Sequence, residues 1–284
     1  IKNNPECVYI PFGISYFFEV FYGAKGTNCK IIYAERNAPE VDFPKDITEK
    51  ERLIKLLSKA DGAVLQTRDE LAFFEGNLKK VAVINNPLKA NLPEQFYGER
   101  RKAIVNFCRI AEQKNLPLMI NAFMKFHRIH PEYTLEIYGN TVVEDEENLK
   151  QSYIKLISSL NAEEYIKILP PRGDIHSVVR DCAMFVSSSD FEGLSNSMLE
   201  AMAIGLPCVC TDCLGGGARE MIIDGKNGLL VPMNDVDALA KAMCRLVEDK
   251  ELLNKCSRNA AKVRETHKVE SIAAQWLELI EKIN

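Results

Sequence analysis

The sequence lacks several features that mark common classes of protein. It carries 36 Lys and Arg residues against 40 Asp and Glu, so its formal net charge is −4. Nucleic-acid binders normally show a basic excess instead. No apolar run approaches the roughly 18 residues of a membrane-spanning helix. With 46% hydrophobic and 27% charged residues, the composition is that of a soluble globular protein. We therefore expect no nucleic-acid partner and no transmembrane segment.

Motifs of metal and cofactor chemistry are also missing. The chain has no H-E-x-x-H, no G-x-G-x-x-G and no Walker loop. Its nine cysteines include no C-x-x-C pair that repeats with histidines at zinc spacing. Several lie in apolar strand patterns, which indicates reduced, buried thiols in a cytoplasmic protein. We interpret all four histidines as surface or helix-end residues: His127, His130, His176 and His267.

Short β-type runs alternate with helical segments, which predicts an α/β fold with parallel sheets and helices on both faces. About four strands fall before residue 85 and six after residue 102. Between them, segment 85–94 contains two prolines and three asparagines, so we interpret it as an inter-domain linker. We predict two Rossmann-like domains, residues 1–90 and 91–284. The second ends in helices, the last of which packs back toward the first domain.

The loop after the predicted strand 103–108 carries two cations. Arg109 and Lys114 lie five residues apart at the carboxyl end of that strand. Open parallel sheets bind ligands at this edge, and a guanidinium fork with an ammonium suits a diphosphate. A solvated turn with ordinary surface charges fits the pattern as well.

The loop after the predicted strand 183–186 carries two carboxylates. The S-x-x-E pattern from Ser197 to Glu200 fits a capping box, which would explain Glu200 structurally. Glu192 lies in a turn, where an exposed carboxylate is the alternative to a site. The helix start at 195–198 offers unpaired N–H groups that can bind an anion. An anion site flanked by carboxylates suggests a phosphate ester that also carries hydroxyls, such as a nucleotide sugar.

Two further loops have a less specific composition. The prolines of loop 170–174 stiffen a wall that could hold a flat base, although a structural turn is equally compatible. Three consecutive glycines, 215–217, allow close approach of the backbone to a ligand.

Together these loops resemble the retaining glycosyltransferases of family four, which have the GT-B fold. Segment 190–209 (DFEGLSNSMLEAMAIGLPCV) looks like that family's E-x7-E signature, with Glu192 and Glu200 as its glutamates. Segment 215–220 (GGGARE) is similar to its G-G-x-x-E motif, and segment 85–87 (NNP) to its inter-domain N-P.

Two more motifs carry the resemblance. Arg109 and Lys114-Asn115 look like the family's G-R-L-x-x-x-K-N loop, with Cys108 where glycine is usual. Segment 135–139 (LEIYG) looks like its L-x-I-x-G strand. The resemblance extends from residue 34 to about residue 242.

The resemblance implies a role for each matching residue. Arg109 and Lys114 would bind the donor diphosphate and assist its departure electrostatically. Glu192 would contact hydroxyls of the donor sugar, and Glu200 the nucleotide ribose. Around the base and the phosphate, the implied donor-binding positions are Leu169, Arg172, Gly193, Leu194 and Ser195.

The implied activity is transfer of a hexose from a nucleotide-diphosphate sugar, UDP- or GDP-linked, to an acceptor hydroxyl with retention. The resemblance places this hexosyltransferase in bacterial surface polysaccharide or glycolipid synthesis, with a carbohydrate or lipid-linked acceptor. It implies no metal and no cofactor, since the two cations stand beside the diphosphate. It also implies a cytoplasmic protein, and relatives that use lipid-linked acceptors contact the inner membrane face through the first domain.

The sequence departs from the family in two respects. A histidine that the family often carries near the reacting carbon is absent, since none precedes His127. Segment 34–39 (AERNAP) resembles the S-E-R-N-D-P variant of bacterial polysaccharide transferases, so Glu35 or Arg36 would face the sugar or acceptor. We include Glu35 in the catalytic set, with a strand-end ion pair as the alternative.

The second departure is length. Family members have more residues at the start, so we expect an N-terminally truncated first domain. A nucleotide-sugar-binding fragment without turnover is therefore an alternative to the enzyme. A third reading is another α/β nucleotide-binding enzyme; the missing G-x-G-x-x-G disfavours a dehydrogenase, and the absence of histidines from the first part disfavours an epimerase.

Overall fold

A computed structural model of the protein describes residues 7–283. The first of its two sheets has four parallel strands in the order β1-β2-β3-β4. Their bounds are β1 (Val8–Tyr9), β2 (Lys30–Ala34), β3 (Gly62–Leu65) and β4 (Val81–Val83). The helices among them are α1 (Ile14–Gly23), α2 (Pro39–Asp42), α3 (Ile47–Leu57) and α4 (Arg68–Phe73).

The second sheet has six parallel strands in the order β10-β9-β8-β5-β6-β7. They are β5 (Arg101–Arg109), β6 (Thr134–Asn140), β7 (Ile166–Leu169), β8 (Cys182–Ser187), β9 (Cys208–Thr211) and β10 (Leu229–Val231). The chain runs outward from β5 in one direction and from β8 in the other. The order therefore reverses between these two neighbours, and such a switch point is where open α/β sheets bind ligands.

Helices cover both faces of the second sheet. They are α5 (Leu116–His127), α6 (Glu144–Ser159), α7 (Ile175–Val179), α8 (Asn196–Ala203), α9 (Gly217–Met221), α10 (Val236–Glu248), α11 (Lys250–Ala260) and α12 (Val263–Thr266); one further helix, α13 (Val269–Ile283), ends the described chain. A short 3₁₀ helix, Glu112–Lys114, precedes α5. The predicted α/β fold with two parallel sheets is thus confirmed.

The last helix, α13, packs on the first sheet rather than the second. Its Ile272, Leu279 and Ile283 are buried in one cluster with Ile32 of β2 and Val64 of β3. Burial of each such side chain stabilises the folded chain by about 1.5–3 kcal/mol. Helix α13 therefore fastens the end of the chain to the first sheet.

Two helix caps differ from those the sequence predicts. The T-x-x-E pattern at 48–51 predicts Thr48 as the cap of α3, but the helix is capped by Asp46, whose Oδ1 accepts from the amide of Glu49. Helix α8 is capped by Ser195, whose Oγ accepts from the amide of Met198. Both caps have the extended backbone that an N-cap requires, whereas Thr48 lies inside its helix.

Among residues 7–283, every helix is too short or too polar to cross a membrane.

Candidate functional site

A cleft of about 690 Å³ lies between the two sheets. Its walls come from the segments that follow β1 to β4 in the first sheet and β5 to β8 in the second. The side chains that line it include Phe12, Arg36, Gln66, Asn86, Arg109, Lys114, Arg172, Glu192, Leu194, Ser195 and Glu200. The cleft therefore occupies the switch-point edge of the second sheet and faces the first.

Lys114 and Glu192 meet directly in this cleft. Nζ of Lys114 is ion-paired with Oε1 of Glu192, and the side chains are only 15% and 14% exposed. The hydroxyl of Ser189 donates to the same carboxylate oxygen at 3.0 Å. Charged groups shielded from water are normally paired and hydrogen-bonded, as both are in this contact. Neither residue is a solvated turn charge, which was the alternative for both.

Asn115 joins the two loops that carry this pair. Its backbone is left-handed, with φ at 44°, and its Oδ1 accepts from the amide of Leu118 to cap α5. Its Nδ2 donates to Oδ1 of Asp190 at 2.8 Å. The hydroxyl of Ser188 also donates to the carbonyl of Lys114 at 2.8 Å. These bonds fix the loop after β5 against the loop after β8.

Arg109 lies at the same edge but has another partner. Its side chain is 51% exposed, and Nε is 3.3 Å from Oε1 of Glu146, near the start of α6. Oε2 of Glu146 accepts from the amide of Val142 at 2.6 Å. Arg109 thus lines the cleft as a half-exposed cation, whereas its partner Glu146 is only 12% exposed.

Glu200 does not form the predicted capping box. Its Oε2 is 2.8 Å from Nε2 of His176, on α7, and its side chain lines the cleft. His176 lies at the start of α7, which agrees with the helix-end interpretation, but it is buried, 6% exposed. No pattern around His176 in the sequence predicts its contact with Glu200, which lies 24 residues further along the chain.

The segment from Gly193 to Ser195 touches the first domain. The amide of Leu194 donates to Oε1 of Gln66 at 3.0 Å, so this predicted phosphate-binding group already has a partner. A Cβ at Gly193 would overlap that same oxygen of Gln66. Leu194 and Ser195 line the cleft, whereas Gly193 is required by the close approach of the two domains.

A polar network that the sequence did not predict crosses the cleft. Asn86 donates from Nδ2 to the carbonyl of Leu194 at 3.1 Å and to Oδ1 of Asn196 at 2.9 Å. Its Oδ1 accepts from Nε2 of Gln66 at 2.6 Å and from a guanidinium N–H of Arg36 at 3.0 Å. Asn86 belongs to the segment interpreted as a linker, so the linker itself supplies a wall of the cleft.

Of the Glu35–Arg36 pair, Arg36 is the residue that lines the cleft. Its guanidinium lies 4.8 Å from the ring centroid of Phe12 and 5.6 Å from that of Trp276. Glu35 lies beneath it, 1% exposed, and accepts from the hydroxyl of Tyr33 and from the amides of Arg36 and Asn37. Burial raises the pKa of Glu35 above its ordinary value.

A second carboxyl, Glu70, is buried beside this wall. Its Oε2 accepts from the amide of Gln66 at 2.6 Å, and Oε1 has no partner among the described residues. Burial raises the pKa of Glu70 to about 9. The carboxyl is therefore protonated at neutral pH.

The wall beyond β6 and β7 includes Arg172 but not Leu169. Arg172 is ion-paired with Asp174, its Nε 2.9 Å from Oδ1. Leu169 is the last residue of β7 and does not line the cleft. Pro171 and Ile175 line the same wall.

The three glycines after β9 do not line the cleft. A Cβ at Gly215 would overlap the carbonyl oxygen of Glu192, and one at Gly217 would overlap that of Gly193. The expected close approach is therefore to protein backbone, not to a ligand position. The glycines let this loop support the segment that carries Glu192.

One set of metal-binding side chains comes together among the described residues. The ligand atoms of His130, Cys244 and Glu248 lie within 4.8 Å of one another. These residues lie at the end of α5 and on α10, and none lines the cleft.

Comparison with known proteins identifies the family. A sequence model described as "Glycosyl transferases group 1" matches residues 90–263. The chain belongs to this family. It is 28% identical over 251 residues to the N-acetylgalactosamine-N,N'-diacetylbacillosaminyl-diphospho-undecaprenol 4-alpha-N-acetylgalactosaminyltransferase of Campylobacter jejuni, which covers 84% of this chain and 66% of that protein. It is also 28% identical over 191 residues to the poly(glycerol-phosphate) alpha-glucosyltransferase of Bacillus subtilis, covering 67% and 27%. The chain spans less than two thirds of either relative.

Solved structures confirm the predicted GT-B fold. The Anabaena protein HepE in complex with UDP matches with a TM-score of 0.81 at 19% identity, covering 99% of this chain and 80% of HepE. TarM of S. aureus, in a mutant form in complex with Fondaparinux, alpha-GlcNAc-glycerol and UDP, matches at 0.80 and 22% identity, covering 95% and 55%. At these identities the likeness shows the fold alone.

Proposed function

We propose that this chain carries the donor site of a retaining hexosyltransferase for bacterial surface polysaccharide or glycolipid synthesis. The observation that carries the proposal is the convergence of Lys114, Glu192 and Glu200 in one cleft at the switch point. Two carboxylates there can accept from sugar and ribose hydroxyls, while the ammonium opposes a diphosphate. The family membership makes a nucleotide sugar the donor of choice for such a site.

The roles of the cations follow from their partners. Lys114 is held at the floor of the cleft by Glu192, where it would meet the diphosphate oxygen that leaves. Arg109 is exposed and would turn from Glu146 toward the diphosphate. Positive charge placed where negative charge develops lowers the barrier to departure. No metal is required in this proposal, because the two cations take its place.

The reaction exchanges one bond of the sugar for another. The bond from the anomeric carbon to the diphosphate oxygen breaks, and a bond from that carbon to the acceptor oxygen forms on the same face. The acceptor proton leaves with the nucleoside diphosphate. Glu192 would hold hydroxyls of the hexose during this step, and Arg36 would face the sugar or acceptor from the first domain.

The comparisons favour UDP as the first nucleotide to test, since HepE and TarM were solved with it. GDP stays in the proposal as the second. The C. jejuni and B. subtilis relatives are named for a diphospho-undecaprenol and a poly(glycerol-phosphate) substrate. They support a carbohydrate or lipid-linked acceptor here, with peripheral contact of the first domain at the inner membrane face for a lipid.

A nucleotide-sugar-binding chain without turnover is the second candidate. The first sheet has four described strands against six in the second, so the acceptor side of the cleft has the smaller scaffold. Binding of donor with neither hydrolysis nor transfer would favour this candidate.

Calorimetric titration with UDP, GDP and ADP tests the proposal. We expect one diphosphate to bind the parent chain, and to bind Arg109→Ala and Glu200→Ala at least about tenfold more weakly. Lys125→Ala, which removes an exposed ion pair with Asp237, is the control and should bind as the parent does. Binding and turnover should persist in EDTA. If none of the three nucleotides binds the parent, the site assignment fails.

Glu192→Gln separates catalysis from binding. The substitution keeps the shape of the side chain but weakens its acceptance from sugar hydroxyls. We expect transfer to fall more than UDP affinity does. An equal loss of both would contradict the role assigned to Glu192.

A further inference from the structure

His176 and Glu200 form a contact that neither the motif pattern nor the family match accounts for. Nε2 of His176 lies 2.8 Å from Oε2 of Glu200, and the side chains are 8% and 20% exposed. His176 lies on α7 and Glu200 on α8, two helices that follow different strands of the second sheet. Glu200 lines the cleft, whereas His176 lies behind it.

The imidazole of His176 is fixed by rigid surroundings. Its ring packs edge to face against Phe107, with centroids 5.7 Å apart and an angle of 86° between the planes. Phe107 lies on β5 and packs in turn on Phe185 of β8, with centroids 5.1 Å apart. Strands at the centre of a sheet are precise supports for a functional group. The histidine is therefore held by the same two strands that define the switch point.

The contact gives the two oxygens of the Glu200 carboxylate different surroundings. Oε2 takes the bond from His176, while no described residue donates to Oε1. A carboxylate has lone pairs to accept several hydrogen bonds, so the group keeps capacity for a ligand hydroxyl. The bond to His176 also removes rotation of the carboxylate that a ligand would otherwise have to restrict.

We propose that His176 is a positioning residue, which holds Glu200 by Oε2 so that Oε1 accepts from the ribose of the donor nucleotide. The inference rests on the proposed function and deepens it, since it assigns ribose recognition to a pair of residues. A ribose hydroxyl reaches a carboxylate whose orientation is already set. Loss of the imidazole leaves the carboxylate in place but free to turn away.

A double-mutant cycle on UDP affinity tests this inference. His176→Leu keeps an apolar body against Phe107 and removes the donor. We expect about tenfold weaker UDP binding by calorimetry in the parent background, and less than twofold change when Glu200 is already alanine. His176→Gln, which restores an N–H donor, should recover part of the loss and also serves if His176→Leu does not fold.

A second readout separates positioning from general loosening of the fold. Because Glu200 reads the ribose, His176→Leu should narrow the difference in affinity between UDP and 2′-deoxy-UDP. It should raise the donor KM more than it lowers kcat. Equal weakening of both nucleotides, or the same loss with and without Glu200, would overturn the inference. If the parent binds neither UDP nor GDP, the proposed function itself has failed.

Discussion

Lys114 and Glu192, 78 residues apart along the chain, form an ion pair at the floor of the cleft. Each comes from a loop that follows one of the two strands at the switch point. Their side chains are shielded from water to a similar extent, 15% and 14% exposed. Lys114 belongs to the motif after β5, and Glu192 is the first glutamate of the E-x7-E segment. The ion pair therefore brings these two motifs into one site.

Lys114→Ala should damage both stability and donor binding. Removing one member of a shielded pair leaves the other charge without its partner, which costs about 1–3 kcal/mol or more. It also removes a cation proposed to meet the diphosphate. We expect UDP affinity to fall by at least about tenfold and the free energy of unfolding to fall in denaturant titration.

A double variant separates these two effects. In Lys114→Met combined with Glu192→Gln, no unpaired charge remains, so stability should return toward that of the parent. UDP binding should stay weak, because the cation is still absent. Recovery of UDP affinity in the double variant would show that Lys114 acts only on the fold.

Gln66 competes, in the proposed function, with the donor phosphate for the amide of Leu194. In the structure Oε1 of Gln66 accepts from that amide at 3.0 Å. Gln66→Ala frees the amide, so we expect UDP to bind about threefold or more tightly and the free energy of unfolding to fall by about 1 kcal/mol. Calorimetry and denaturant titration measure the two changes.

Gln151→Ala is the matched control for Gln66→Ala. Gln151 is an exposed residue of α6 that donates to Glu147, on the same helix. Gln151→Ala should change neither the UDP affinity nor the free energy of unfolding, since substitutions at exposed positions stay within about 0.5 kcal/mol. Weaker UDP binding by Gln66→Ala would mean that the side chain supports the loop and does not compete.

The sequence predicts the elements of this fold better than the contacts of its site. The mostly apolar run at 30–34 (KIIYA) predicts a buried strand, and β2 has those bounds. The cap of α8 was misplaced by two residues, since Ser195 and Ser197 offer the same hydroxyl and only backbone geometry distinguishes them. The partners of Glu200 and Leu194 could not be predicted, because His176 and Gln66 reach them through the packing of separate loops. The spacing of apolar residues predicts a single helix or strand, but it does not predict the contacts between separate elements.

Stability should depend on pH through Glu70. The folded carboxyl has a pKa of about 9 and the ordinary value is 4.5, so unfolding releases a proton between these values. The contribution of Glu70 to stability is therefore complete below about pH 4.5 and declines as the pH rises toward 9, by up to about 1.4 kcal/mol per pH unit. Glu70→Gln removes this ionisation, and we expect a shallower slope of unfolding free energy between pH 5 and pH 9.

The control for this slope is Glu51→Gln, at an exposed position of α3. It should leave the pH dependence of the parent unchanged. Glu35, whose pKa is also raised by burial, stays in both variants, so part of the slope remains in each. A Glu70→Gln slope as steep as that of the parent would contradict the assignment.

Gly217, in the loop after β9, should tolerate no side chain without movement of the neighbouring loop. A Cβ there would overlap the carbonyl oxygen of Gly193, which is backbone and cannot rotate away. The loop after β8 must then move, so Gly217→Ala should lower the free energy of unfolding by about 2–3 kcal/mol. It should also weaken UDP binding, because that loop carries Glu192.

At Gly173 a Cβ would meet open space, so Gly173→Ala should stay within about 0.5 kcal/mol of the parent. Equal thermal midpoints for the two alanine variants would show that the loops can separate freely and that the glycine contact does not hold the site.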